Sequence, residues 1–456
     1  MNKTDQSVQK PWFSLWIILF APMMTVLDVF VVNVGLPVIQ SYFHAPNASL
    51  QLVVAAYLVG YSVFLVTGSR LGDHFGRKRL FCIGLGLFTL TSVACGLATS
   101  ADQLILFRFL QGVSAALGVP QTFTLIQLYF PDPKDKNKAF GYYGISLGLS
   151  TVAGQFLGGY LIHFSWRLIF LINLPIGLMA TALAIWKLRE SKQKKARRFD
   201  FTGVGLLTAV LTCLIYPLIQ GREMGWPAWS LAMLGASLIL GIWFVLDQRR
   251  KSADGGDPIV HLELFQYRSF SRGIIALFFF FGIHNSFLLL SAVYFQKSLH
   301  FTPLASGLYF IPMGASFLLG SLWASRRIGK WGIRVIQLGC VFMILALAAQ
   351  EFGTMQTWRI VMLFSVYGWG LSCVLPSLVN TTLSDVPAEF AGTASGVYST
   401  LQQFSSALGV SVIGGIYFSL GGDYRVALLV MIAYGVAGLG ILEWIRNSAK
   451  LPPKSS

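Results

Sequence analysis

The chain has 456 residues, 55% of them hydrophobic and only 11% charged, with 34 Lys and Arg against 18 Asp and Glu for a formal charge of +16. Soluble chains carry about 25% charged residues, so a globular, water-exposed protein of this size is excluded. Nor do the bases mark a nucleic-acid face: they fall in short stretches between apolar runs, which is the pattern of membrane topology.

Apolar runs begin near Phe13, Leu50, Leu80, Gln103, Ala139, Trp166, Phe201, Trp229, Ser271, Pro303, Arg334, Trp358, Ala391 and Tyr424, fourteen in all. Each approaches the about 20 residues a helix needs to cross the hydrocarbon core. The first, from about Phe13 to Ile39, is too long for a signal-peptide core and reads as a retained span. Backbone amides in lipid must be bonded within the protein, which predicts helices throughout and an all-α, multi-pass protein of the cell membrane. Arg108, Arg167, Arg222, Lys297, Arg359 and Arg425 fall on one side of these spans, and the remaining 28 of the 34 bases fall on the other. That asymmetry predicts cytoplasmic N- and C-termini, although the loop at 385–390 carries no base. Five cysteines (Cys82, Cys95, Cys213, Cys340, Cys373) stand singly in apolar runs and suit packing rather than disulfides or a metal site. No metal, cofactor or phosphate-binding loop is expected, and the chain is read as a monomer.

Asp28 is the acid that sits well inside a span, about 15 residues from its cytoplasmic start and so roughly 22 Å deep. A charge at a helix centre costs about 2.5–3.5 kcal/mol on insertion scales, so such residues face polar cavities and act there, or are permanently paired. Arg108, in the fourth run, lies roughly 9 Å from that run's outer end and so at a matching depth. An arginine beside a carboxylate favours its charged form, and its withdrawal favours proton uptake. An arginine snorkelling to the interface is the alternative.

Between the second and third runs stands Gly68-Ser69-Arg70-Leu71-Gly72-Asp73-His74-Phe75-Gly76-Arg77-Lys78-Arg79. We read it as a loop of about ten residues holding an acid, two turn glycines and four bases. It resembles the signature loop of major facilitator superfamily transporters. Arg108-Phe109-Leu110-Gln111-Gly112 resembles the fourth-helix motif of that superfamily. Leu27-Asp28-Val29-Phe30-Val31-Val32-Asn33-Val34-Gly35-Leu36-Pro37 resembles the first-helix motif of its fourteen-span drug/proton antiporter branch, and Trp166 to Gly177 resembles a sixth-helix motif of the same branch.

The resemblance implies two six-helix bundles related as repeats, plus two inserted transmembrane helices. On this reading residues 1–190 form the first bundle, 191–248 a linker and the inserted pair, 249–271 a linker with a short amphipathic helix over 258–265, and 272–456 the second bundle and tail. A degenerate echo of the signature loop, Ser325 to Arg334, supports the repeat. The implied activity is export of lipophilic, cationic small molecules in exchange for protons, with Asp28 and Arg108 coupling the proton and lipid and small-molecule substrate as partners. Gly68, Gly72, Asp73, Gly76 and Arg77 would form a conformational latch, with Asp73 set against the start of the thirteenth span near Ala391 and Arg77 locking the bundles together.

The chain departs from the branch at Gly154-Gln155, where the antiporter motif has a proline after the glycine. Gln155 lines the cavity or packs behind it. Asn33, Tyr57, Tyr61, Gln111, His284, Asn285, Tyr309, Trp369 and Gln403 are polar or aromatic at membrane depth, and serve as cavity lining or as interhelical glue. Two other readings fit the sequence: a proton-coupled exporter of a metabolite or peptide, and a transport-inactive membrane receptor derived from a carrier.

Overall fold

The apolar runs satisfy their backbone groups as helices in the computed structural model, which describes residues 11–190, 200–352, 356–387 and 391–448. In chain order these are α1 (Pro11–Phe43), α2 (Asn47–Phe75), α3 (Arg77–Gly96), α4 (Ala101–Tyr129), α5 (Pro133–Ile162), α6 (Leu168–Leu171) and α7 (Asn173–Lys187). They continue with α8 (Phe201–Tyr216), α9 (Ala228–Ala253), α10 (Arg268–Lys297), α11 (Pro303–Trp331), α12 (Ile333–Ala349), α13 (Thr357–Thr382), α14 (Ala391–Ser419) and α15 (Tyr424–Ser448). The short α6 and α7 make one span, and α8 runs on through a π-helical turn at Pro217–Gly221, so the described residues hold fourteen crossing segments.

Twelve of these are long and apolar enough to span by themselves. The helix α12 is shorter at 17 residues, and α14 carries Ser399, Gln402, Gln403, Ser405, Ser406 and Ser411 along its length. Helix starts are written in the sequence. Ser100, Asp132 and Thr302 accept hydrogen bonds from the N–H groups of Gln103, of Lys134 and Asp135, and of Ala305. Each such cap is worth about 1 kcal/mol.

The packing scheme is used twice. The helix α2 packs on α4, α1 on α5, and α3 on both α4 and α7. Later in the chain α11 packs on α13, α10 on α14, and α12 on both α13 and α15. The two sets meet along two seams, α2 with α14 and α5 with α11, while α1 touches α10. The hairpin of α8 and α9 lies against α2, and its π-helical turn lies against α14, so the insertion covers one seam.

The linker after α9 departs from expectation. Only Leu262–Gln266 is helical, as a single 3₁₀ turn. The backbone on either side is used elsewhere: Arg70 donates to the carbonyl oxygens of Asp257 and Pro258, and the Val260 N–H donates to Gln248. Leu264 is buried with Phe270, Ala394 and Val397, so the segment docks on α10 and α14.

In lipid, helices associate through close packing, for which small residues are needed. A Cβ on Gly68 would lie 2.0 Å from the carbonyl oxygen of Ala116 in α4. On α5, a Cβ on Gly158 would lie 3.0 Å from Val31 Cα, and one on Gly159 would lie 2.7 Å from Leu304 Cα. Adjacent residues of α5 thus seat it against α1 and α11. Gly68→Val should cost about 1–3 kcal/mol by overpacking, seen as a lowered melting temperature in detergent; an unchanged melting curve would show that this approach is not a constraint.

Candidate functional site

Asp28 and Arg108 meet inside the first set of helices, where they are 0% and 2% exposed. Arg108 Nη1 donates to Asp28 Oδ2 at 2.5 Å and to Gln111 Oε1 at 2.6 Å. Gln111 Nε2 donates to Asp28 Oδ1 at 2.8 Å, and Asn173 Nδ2 donates to the same oxygen at 3.2 Å. Arg108 and Gln111 converge because residues three apart share one face of α4. Beyond them Asn173 donates to Ser92 Oγ at 2.9 Å, and Ser92 donates to the Phe170 carbonyl at 2.9 Å. Arg108 Nε donates to the Val53 carbonyl at 3.3 Å, and its guanidinium lies 4.4 Å from the centre of the Tyr57 ring.

The carboxylate therefore has a charged donor on one oxygen and two amide donors on the other. Burying an ion pair is tolerable only when its members find further hydrogen bonds, and here Val53, Gln111 and Asn173 supply them to the pair, drawing on α1, α2, α4 and α7. Gln111, expected among the cavity residues, belongs here instead. Asn173 and Ser92 do not stand out as site residues in the sequence: neutral polar side chains are cheap enough in a membrane helix that their presence carries little signal. Asn173 does fall within the sixth-helix motif.

The other expected residues are scattered. Tyr61 lies 6.0 Å from Tyr57, ring centre to ring centre. Asn33 is buried on α1. Gln155 is buried where α5 crosses α11, with its Nε2 unpartnered and its carbonyl under Gly307. His284 stacks on Tyr367 at 6.4 Å. Asn285 bonds Ser406 of α14 at 2.8 Å, acting as glue between helices. Tyr309 bonds Thr357 at 3.0 Å and packs on Phe301 near the helix ends, so it does not sit at mid-membrane. Trp369 packs on Trp323 of α11, and Gln403 is half-buried on α14.

The signature segment is less of a loop than expected. The helix α2 runs to Phe75 and α3 starts at Arg77, which leaves Gly76 alone between them at φ +109°. That left-handed conformation is one only glycine adopts readily. Gly68 and Gly72 are helical and face α4. Arg77 donates to the Ser69 carbonyl and to Gln121 Oε1, both at 3.2 Å, and Gln121 Nε2 donates to the Gly68 carbonyl at 2.8 Å. These bonds tie α2 to α4 within one set of helices. The side chains of Asp73 and of 391–393 lie outside the described residues, and with them the expected Asp73 contact. Two acids that belong to no sequence motif, Glu190 and Asp200, complete this face. Glu190 accepts from the N–H groups of Lys78 and Arg79, both at 3.1 Å, and so caps α3. Asp200 caps α8 and accepts from Gln248 and Lys251. Burial pushes the Asp200 carboxyl up, and these hydrogen bonds outweigh it, holding the group below its ordinary value.

The opposite face is fastened by the insertion. Glu223 accepts from the Ala48 N–H at the start of α2, where Pro46 offers no side-chain cap. Its neighbour Arg222 donates to the Gly415 carbonyl and to Ser419 Oγ on α14. Gln296 of α10 donates to the Val34 carbonyl of α1 at 2.8 Å.

The sequence signature of the Major Facilitator Superfamily matches residues 18–410. The chain belongs to that superfamily. This facilitator is 36% identical over 430 residues to the probable actinorhodin transporter of Streptomyces coelicolor, covering 91% of this chain and 74% of the relative. It is 34% identical to multidrug resistance protein Stp of Mycobacterium tuberculosis (86% and 73% covered) and 30% identical to the tetracenomycin C resistance and export protein of Streptomyces glaucescens (91% and 77%). Among solved structures, a bacterial homologue of the human lysosomal transporter Spinster superposes with a TM-score of 0.71 at 14% identity, covering 98% of this chain and all of that one. The nucleoside transporter NupG gives 0.69 at 12% identity, covering 96% of this chain and all of that one. At those identities the structures establish the fold alone. The facilitator is a multi-pass membrane transporter of small molecules and not an enzyme.

Removing one partner of a buried ion pair strands the other charge, at a cost of about 3–5 kcal/mol. Arg108→Gln should therefore lower the melting temperature of this facilitator strongly, and adding Asp28→Asn should recover much of the loss. Strictly additive losses in that double-mutant cycle would show the pair to be uncoupled.

Proposed function

We propose that the protein exports lipophilic, cationic drug-like compounds in exchange for protons, and that Asp28 is the group that takes up and releases the proton. The observation that carries this reading is the complete burial of Asp28 beside Arg108 in a membrane helix, where an ionisable group is costly and tends to be functional. The relatives named for multidrug resistance and for tetracenomycin C resistance and export support a drug-like cargo.

The proposed cycle uses the network directly. With the carboxylate charged, Arg108, Gln111 and Asn173 draw α1, α4 and α7 together. Protonation removes the charge on which all three donors depend, so the guanidinium loosens and the balance between inward-open and outward-open arrangements shifts. Proton and cargo need not share atoms; it suffices that each disfavours the other's bound form. The two repeats, 1–190 and 272–456, rock along the α2–α14 and α5–α11 seams. The insertion and linkers, 191–248 and 249–271, bridge them. On this reading both termini are cytoplasmic, which puts Arg70 and Glu190 at the inner face and the Arg222–Glu223 pair at the outer face. Asp73 and the start of α14 complete the inner latch. Gln155 stands where a proline would bend α5, so α5 moves as a straight rod between α1 and α11.

A proton entering down ~100 mV gains about 2.3 kcal/mol, and each pH unit adds about 1.4 kcal/mol. With one deep carboxylate the exchange is one proton per cycle, and for a monovalent cation the electrical terms cancel. Export of a lipophilic monovalent dye into inverted vesicles should therefore continue on a pH gradient when the potential is collapsed; export that stops with the potential would contradict the one-for-one exchange. Asp28→Asn should insert normally yet lose proton-driven export, and normal efflux by that variant in energised vesicles would refute the role of Asp28.

A further inference from the structure

On the outer side of the first helix set, α1, α5 and α7 line a cavity of about 220 Å³. Phe20 and Leu27 of α1, Ala153 of α5 and Ile176 of α7 form its walls, which are almost wholly apolar. Leu149 and Met179 stand at its rim and are exposed on the outside of the helix set, which in the bilayer is the lipid side. One lining residue is different in kind. Asn173 is fully buried, and its Oδ1 has no hydrogen-bond partner.

The orientation of that amide is fixed by its neighbours. Its NH₂ group donates to Asp28 Oδ1 and to Ser92 Oγ, and Ser92 spends its own proton on the Phe170 carbonyl. Flipping the amide would set an oxygen against a carboxylate. The orphan atom is therefore an acceptor, and a buried acceptor left unbonded is costly. Ser150, the other polar residue in the lining, already donates to the Ser146 carbonyl at 2.8 Å.

We propose that this cavity binds a lipophilic small molecule carrying one N–H or O–H donor, which arrives from the bilayer and donates to Asn173 Oδ1. The size suits one or two fused rings: an apolar cavity of about 150 Å³ takes up benzene. The site also bears on the proton-exchange reading, and this part rests on that reading. A donor on Oδ1 polarises the amide, strengthens its N–H bond to Asp28 and so favours the charged carboxylate. Binding here pushes Asp28 toward releasing its proton, which is the sign an exchanger requires.

The test uses the full chain in lipid nanodiscs, with 2-naphthol as donor probe and 2-methoxynaphthalene as its donor-free match, measured by equilibrium dialysis against empty nanodiscs. Saturable binding of one naphthol per protein is expected, roughly three- to tenfold tighter than the ether. Ala153→Phe, which fills the cavity, and Met179→Trp, which narrows its exposed rim, should each weaken naphthol at least tenfold. Because Met179 faces lipid, that second variant keeps the test informative should Ala153→Phe fail to fold. Equal affinity for the two probes, as a groove for acyl chains would give, overturns the proposal, as does undiminished binding in Met179→Trp. Naphthol should also release protons from the wild type and none from Asp28→Asn. Donor-dependent binding without proton release would leave the site standing and remove its link to the exchange.

Discussion

A carboxyl group buried within a membrane protein loses water from both oxygens and must find donors for them inside the protein, and much of this structure follows from meeting that demand at Asp28. The arginine comes from α4, one amide from the next turn of α4 and the other from the first residue of α7. Holding those three donors in place requires α1, α4 and α7 to keep fixed relative positions. The helix α2 adds the Val53 carbonyl that receives Arg108 Nε, and α3 carries the serine that orients Asn173.

The same economy governs the seams. Lipid offers no hydrophobic reward for bringing helices together, so contact between the two helix sets depends on small residues and a few strong polar bonds. Gly158 and Gly159 let α5 lie against α1 on one side and α11 on the other. At the other seam the inserted hairpin supplies what the bundles lack. Adjacent residues of the insertion, Arg222 and Glu223, reach α14 and α2 respectively, and Glu223 caps a helix whose own cap is a proline. At the opposite face Arg70 holds the linker that joins the insertion to the second set. The insertion is therefore fastened across the seam at both ends, in a position to bias the rocking proposed for the two sets.

Much of this was legible in the sequence, for definite reasons. The fourteen spans could be read because a backbone in lipid has few solutions, and each needs a long apolar run. Asp28 and Arg108 could be paired because depth follows from residue count along a helix. The signature segment was misjudged as a loop: its charges leave the hydrocarbon core, but the helix that carries them does not stop until Gly76. The linker at 258–265 was misjudged the other way, since its apolar spacing is helical while its backbone groups are claimed by Arg70 and Gln248. Asn173, Ser92 and Glu190 were missed because what they do depends on partners roughly 80 to 145 positions away. Tyr309 and Trp369 look like cavity residues in a sequence, and only packing shows them at a helix end and beside Trp323.

The most direct test of the account is whether the Asp28 carboxyl changes its protonation when cargo binds. Infrared difference spectra of the reconstituted protein, recorded with and without a lipophilic cation, should show a protonated-carboxyl band disappearing and a carboxylate band growing. Both signals should be missing from Asp28→Asn. Difference spectra in which no carboxyl band moves, or in which the same bands persist in that variant, would contradict it.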